Sequence, residues 1–288
     1  MKHAMLAAGA AMFLATAAQG APLPPAAIYT DPPADAAHPA RMEVLHIPSG
    51  GVEINGVAYL ASGAGAHPTV VLFHGLPGNE KNLDLAQAIR RAGWNVVTLN
   101  YRGSWGSPGH FSFKGNLADA RAALAYVRSP ANAAKLGIDT RRLVIMGHSM
   151  GGWVTAVTAG ADPDLAGAVM ISGADISRIG QSTPEQRLAL ARDNRESLAA
   201  TAEEMAAEIA TLGPELGFDA AAPGLTKHPL LVITSNDGLK PMADHLVMDV
   251  KQRGGRVAVV HIPTDHSYSD ARIRLQSAVL TWLAALPK

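Results

Sequence analysis

The order of apolar segments predicts an α/β fold, with a mostly parallel central sheet of about eight strands, helices on both faces and a small helical insertion. Three observations carry that expectation. From residue 70 onward, short, almost wholly apolar runs alternate with longer helix-like stretches. One of those runs, Leu143-Val144-Ile145-Met146, stops at the turn Gly147-His148-Ser149-Met150-Gly151 and continues into an alanine-rich helix. The spacing breaks once, between about residues 178 and 228, where a polar stretch separates two strands.

Residues 42–47 and 52–60 are strands joined by Ser49-Gly50-Gly51, the spacing of a hairpin. The pattern then changes to strand followed by helix. Strand 70–73 precedes helix 83–92, strand 96–99 precedes helix 117–127, and strand 143–146 precedes helix 153–161. Strand 168–171 leads into the polar stretch, strand 230–234 into a helix near 242–253, and strand 257–262 into a last helix near 270–286. Strands that are apolar throughout are buried on both faces, so the sheet is parallel with function at the carboxyl ends of its strands. In the insertion, Thr183-Pro184-Glu185-Gln186 and Thr201-Ala202-Glu203-Glu204 each offer an N-cap with a capping-box partner three places on. They predict two amphipathic helices, which would lie over the site as a lid, with a surface excursion that makes no contact with substrate as the alternative.

Ahead of the domain, Met1-Lys2-His3 and the apolar run 4–18 followed by Gln19-Gly20-Ala21 have the outline of a secretory signal peptide, cut after Gly20. The run is shorter than the roughly 20 residues of a membrane span, so no stable membrane anchor is expected after its removal. The expected organisation is a signal over 1–20, a Pro/Ala-rich leader over 21–41 and one domain over 42–288, with a periplasmic or secreted destination. Absence of cysteine excludes disulfides, a thiol nucleophile and a thiol-linked lipid anchor. Lysine plus arginine equals aspartate plus glutamate at 24 each, which gives no global field for nucleic acid. The sequence does not fix an oligomeric state.

The Gly-x-Ser-x-Gly turn is the strongest functional signal. A serine between a strand end and a helix start is held in a sharp bend, and Gly147 and Gly151 remove the Cβ atoms that would collide there. The hydroxyl of Ser149 then projects at the tip, beside the first N–H groups of the helix, which makes Met150 N–H a donor to an oxyanion.

From residue 42 to 288 the chain resembles the α/β-hydrolase superfamily, in its esterase and prolyl oligopeptidase-like branches. The resemblance rests on that turn, on His74-Gly75-Leu76-Pro77-Gly78 after the third strand, on Asn100-Tyr101-Arg102-Gly103-Ser104-Trp105-Gly106 after the fourth, and on late Asp and His loops. The family order of nucleophile, acid and histidine is met by Ser149, Asp237 and His266. A serine hydroxyl is a poor nucleophile at neutral pH, so a histidine must take its proton and a carboxylate must fix that histidine's tautomer. Asp175 is the main rival for the acid, Asp265 is too close to His266 in sequence to reach back, and His261 lies within the last strand.

The resemblance implies Leu76 N–H as the second oxyanion donor, since Pro77 has none. It implies structural roles for His74, for His148 and for Arg102 in the fourth-strand loop. Trp105 and Phe111 are candidates for the wall of the substrate cleft, with a hydrophobic plug under the loop as their alternative role. The 11 histidines lack ligand spacing and no phosphate-loop pattern is present, so no metal or organic cofactor is expected. The expected activity is hydrolysis of a small-molecule carboxylic ester through an acyl-enzyme. A prolyl oligopeptidase-like peptidase, a thioesterase or lipase, and a non-catalytic binding protein of the same fold are the alternatives.

Overall fold

The computed structural model describes residues 24–287; the expected signal segment, 1–20, lies outside them. Elements run β1 (Arg41–Ser49), β2 (Val52–Leu60), β3 (His67–Phe73), α1 (Leu83–Arg91), β4 (Asn95–Leu99), α2 (Phe113–Arg128), α3 (Pro130–Leu136), β5 (Ile138–His148), α4 (Met150–Ala161) and β6 (Gly167–Ile171). The insertion follows as α5 (Ile176–Ile179), α6 (Pro184–Asp193), α7 (Ala202–Ala210) and α8 (Phe218–Leu225). The chain then closes with β7 (Leu230–Thr234), α9 (Lys240–Gln252), β8 (Val257–His261) and α10 (Arg272–Ala284). In the segment before β1, a 3-10 turn at Ala26–Ile28 rests on α1, where Arg91 Nε donates to Ala27 O at 2.6 Å.

All eight strands form one sheet in the order β1-β2-β4-β3-β5-β6-β7-β8. β1 and β2 are antiparallel to each other, β2 is antiparallel to β4, and every later pairing is parallel. Successive residues of β3 and β5 face opposite sides. Val71, Phe73, Leu143 and Ile145 pack with the faces of α2, α4, α8 and α9, while Val70, Leu72, Val144 and Met146 pack with α1 and α10. Because β5 lies next to β3 rather than β4, the strand order reverses there, which opens a crevice at the carboxyl edge. Phe73 pairs with Gly147, His148 with Ile171 and Thr234 with His261, so the loops that leave β3, β5, β6, β7 and β8 share one rim.

The insertion is tied down by specific bonds. Thr183 and Thr201 form the two capping boxes read from sequence. Ala199 N–H donates to Gly103 O at 2.7 Å, Trp105 N–H to Ser197 O at 3.0 Å and Phe111 N–H to Ala199 O at 3.2 Å, which fastens the insertion to the loop after β4. The Glu208 carboxylate of α7 accepts from Phe113 and Lys114 N–H, at 2.8 and 3.0 Å, where an anion is favoured at the start of α2. Trp153 Nε1–H of α4 donates to Leu216 O at 2.6 Å. Among the described residues no helix is long and apolar enough to cross a membrane.

Candidate active site

Ser149 stands between β5 and α4 with φ 57° and ψ −121°, a conformation that costs a non-glycine residue of order 1–3 kcal/mol. Neighbouring backbone holds it. Its N–H donates to Ile171 O at 2.9 Å, and its carbonyl accepts from Gly152 and Ala174 N–H at 2.9 and 3.0 Å. A Cβ on Gly147 would lie 1.9 Å from Gly151 O, and one on Gly151 would lie 2.3 Å from Phe73 O. Strand, elbow and helix therefore approach closely enough that only glycine fits at either position. A Cβ on Gly75 would come 3.0 Å from Ser149 Cβ and 3.6 Å from its Oγ, so the loop after β3 runs directly beside the hydroxyl. Leu76 follows Gly75, and Met150 opens α4 with its side chain buried under the elbow.

Asp237 and His266 leave the neighbouring strands β7 and β8 and meet at the same rim. His266 Nδ1–H donates to Asp237 Oδ2 at 2.8 Å, with the carboxylate 4% exposed and the imidazole 38% exposed. Asp237 Oδ1 accepts from Leu239 N–H at 3.0 Å. Burial pushes this carboxyl up, but the hydrogen bonds from His266 and Leu239 N–H, helped by the nearby Ser172 and Ser235 hydroxyls, outweigh burial and hold it well below the usual carboxylate range. Asp237 is thus an anion at any working pH and favours the His266 tautomer with its proton on Nδ1, which puts the neutral ring's lone pair on Nε2. Among the described residues no hydrogen bond joins that Nε2 to Ser149 Oγ, a contact that in such sites often tightens only with substrate bound.

The other histidines and acids have structural tasks. His148 is buried with its ring 4.6 Å from that of His266, and its Nε2–H donates to His266 O at 2.8 Å. Burial, then the nearby His266, lowers its pKa to about 4, so it is neutral and clamps the histidine loop. His74 is buried against Tyr101 at 4.6 Å, donates Nδ1–H to Gly75 O at 2.7 Å and is held by burial at about 4. Asp175 caps α5: its Oδ1 accepts from Ser177 N–H, Ser177 Oγ–H and Arg178 N–H, and its Oδ2 from Phe218 N–H at 3.0 Å. The rival acid is engaged in joining the two ends of the insertion. Asp265 accepts from Ser269 N–H at 2.8 Å, and His261, on exposed β8, bonds Thr234 Oγ1 at 3.0 Å.

Arg102 anchors the loop after β4 through a fully buried carboxylate. Its N–H and Nε–H donate to Asp119 at 2.8 and 2.7 Å, and Ser49 Oγ–H adds a third bond at 2.5 Å. Trp105 joins three segments: its Nε1–H donates to Pro77 O at 2.7 Å, its N–H reaches the insertion, and Lys81 Nζ stands 4.3 Å above its ring. That places the half-buried indole against the loop that also carries Gly75 and Leu76. The expectation that Phe111 lines the cleft is corrected. Its ring is 2% exposed and packs edge-on to Phe113 at 5.4 Å, so it is the hydrophobic plug beneath the loop. Sequence reasoning missed Tyr268, Ser172 and Ser235, whose hydroxyls gather close to Asp237; nothing in their sequence context marks them. Among the described residues no group of histidines and acids is arranged to hold a metal ion.

Comparison with known proteins gives concordant results. The Arabidopsis thaliana "Alpha/beta hydrolase domain-containing protein WAV2" is 35% identical over 106 residues, 36% of this chain and 33% of that protein. The chain therefore spans about a third of that relative's length. The Pyrobaculum calidifontis esterase superposes with a TM-score of 0.61 at 23% identity, covering 87% of each chain. The carboxylesterase EstE1, from a metagenomic library, gives 0.61 at 20% identity over 87% of this chain and 91% of its own. At these identities the two structures speak to fold alone. A family model described as "alpha/beta hydrolase fold" matches residues 68–223, more than half of the sequence, and the chain belongs to that family.

Proposed function

We propose that this protein is a serine hydrolase that cleaves small-molecule carboxylic esters through an acyl-enzyme. The observation that carries the reading is the half-buried Asp237–His266 bond at the rim where a strained serine leaves β5. Ser149 Oγ attacks the ester carbonyl while His266 Nε2 accepts its proton, and the C–O bond to Ser149 forms as the carbonyl becomes an oxyanion. The N–H groups of Leu76 and Met150 hold that oxygen in this reading. Collapse expels the alcohol, which takes the proton from His266 Nε2, and water then repeats the sequence to release the acid. Asp237 stabilises the imidazolium without accepting a proton. Trp105 forms part of the cleft wall in the same reading, and the sequence pattern at residues 1–20 supports export before the protein acts.

The test is the initial rate of p-nitrophenyl butyrate hydrolysis by the protein and by Ser149→Ala, with a proline p-nitroanilide in parallel. Ester turnover that falls by roughly 10⁶-fold in the folded variant supports the reading. Cleavage of the anilide favours a peptidase, and an intact ester in the folded wild type removes esterase activity toward simple acyl chains.

A further inference from the structure

Close to Asp237, three hydroxyls are buried and bonded in a row. Tyr268 is fully buried, and its OH lies 2.8 Å from Ser172 Oγ. Ser172 Oγ lies 3.0 Å from Ser235 Oγ. Both serines are 1% exposed and stand just past the ends of β6 and β7, Ser235 two residues before Asp237, and both hydroxyls are near enough to that carboxylate to help lower its pKa. Two of the three residues adopt positive φ, 43° at Ser172 and 58° at Tyr268. An aromatic residue in that region is strained, and here the strain turns the ring inward from the loop that carries His266 two residues earlier. Tyr268 N–H donates to Asp265 O at 3.1 Å and its carbonyl accepts from Ala271 N–H at 3.0 Å, so the loop closes around the inward ring.

We infer that Tyr268, Ser172 and Ser235 form a hydroxyl chain that positions Asp237 and sets how strongly it polarises His266. This inference rests on the triad reading above. A carboxylate has about four lone-pair sites, and those not used by His266 and Leu239 N–H are open to a hydroxyl donor from the adjacent chain. Tyr268 can only strengthen the chain as a donor, since burial, with the Asp237 charge adding to it, pushes the phenol up to about 12. Aligned hydroxyls polarise one another, so the last bond to the carboxylate depends on the first. Tyr268 touches neither substrate nor reacting atoms and is a positioning residue. The charged and titratable groups around the chain are Asp237, His266, His148, Asp265 and Arg272, and Arg272 is paired with Asp84.

The experiment measures kcat, KM and the acid limb of kcat/KM for p-nitrophenyl butyrate in the wild type, Tyr268→Phe and Ser172→Ala, with thermal unfolding of each. Tyr268→Phe keeps the ring in its cavity and Ser172→Ala removes one oxygen, so two independent variants report. The expected result in both is a roughly five- to twentyfold fall in kcat at unchanged KM. The acid limb also moves upward by about a few tenths of a pH unit, because a less satisfied Asp237 holds the proton on His266 more tightly. A folded variant with wild-type kcat and an unmoved limb overturns the inference. So does a fall in rate with the limb unmoved, which is what looser packing alone produces. Ser149→Ala runs alongside: if it retains turnover the triad reading fails, and if it is inactive while both chain variants match the wild type, only the hydroxyl chain fails.

Discussion

Replacing Asp237 by asparagine, beside Asp175→Ala, separates a carboxylate that supports chemistry from one that supports the fold. Asp237 is 4% exposed and gives Oδ2 to His266 Nδ1 at 2.8 Å. An asparagine of the same shape can present an N–H there, which turns the imidazole to the tautomer that cannot take a proton from serine. In sites of this geometry such a change lowers kcat by about 10⁴-fold, equivalent to about 5 kcal/mol of transition-state stabilisation. Asp175 instead holds four donors, three at the start of α5 and one from Phe218. Its removal deletes a helix cap and leaves buried donors unpaired, which together cost roughly 2–4 kcal/mol and lower Tm by about 5–15 °C. The assay is p-nitrophenyl butyrate hydrolysis at 25 °C, where both proteins are folded, beside thermal unfolding followed by circular dichroism. The account expects Asp237→Asn to be inactive and near wild type in Tm, and Asp175→Ala to be active and less stable. An Asp237→Asn protein that keeps a tenth of the wild-type rate, or an Asp175→Ala protein that loses as much activity as Asp237→Asn, would refute the assignment.

Other expectations concern the scaffold. Asp119→Ala removes the fully buried carboxylate that accepts from the half-buried Arg102 and from Ser49, and urea unfolding should show a loss of about 2–4 kcal/mol; a loss below about 1 kcal/mol contradicts the argument. Gly151→Ala places a methyl group 2.3 Å from the Phe73 carbonyl, a backbone atom that cannot rotate away. That variant should be insoluble or inactive, as soluble yield and ester turnover would report. Burial holds His74 and His148 near 4 in the folded protein, against about 6.5 when unfolded. The unfolded chain therefore binds those protons first, so stability is complete above pH 6.5, falls as pH drops from 6.5 to 4, and loses nothing further from them below 4. Urea unfolding at several pH values should show that slope, and His148→Gln should remove about half of it.

Much of the fold was legible because buried strands and helix caps have local causes. Residues 52–60 and 230–234 were placed to the residue, and both capping boxes formed as read. Apolar runs mark only the buried centre of a strand. Hence β5 was expected over 143–146 but extends from Ile138 through the charged, half-exposed start that pairs with β3. Helix α3 was missed although Ser129-Pro130 offers a cap and a first-turn proline, because its one buried residue is Leu136 and no apolar stripe announces it. The short α5 is a single turn and too brief to show a period, and α8 buries Phe218, Ala221, Ala222 and Leu225 at helical spacing but carries Pro223, which reads in sequence as a helix breaker. At the site, the elbow serine and the late Asp and His were visible through their loops. The burial of Phe111 was not, because it depends on the insertion closing over residues 103–111 from nearly a hundred positions away.

The most direct test of the central claim is covalent capture of the nucleophile. The protein is incubated with a fluorophosphonate and the modified residue is located by peptide mass spectrometry, with Asp237→Asn treated in the same way. The account predicts one adduct per chain, on Ser149, formed far more slowly when Asp237 is asparagine. No adduct in the folded wild type, or an adduct on another residue, would contradict it.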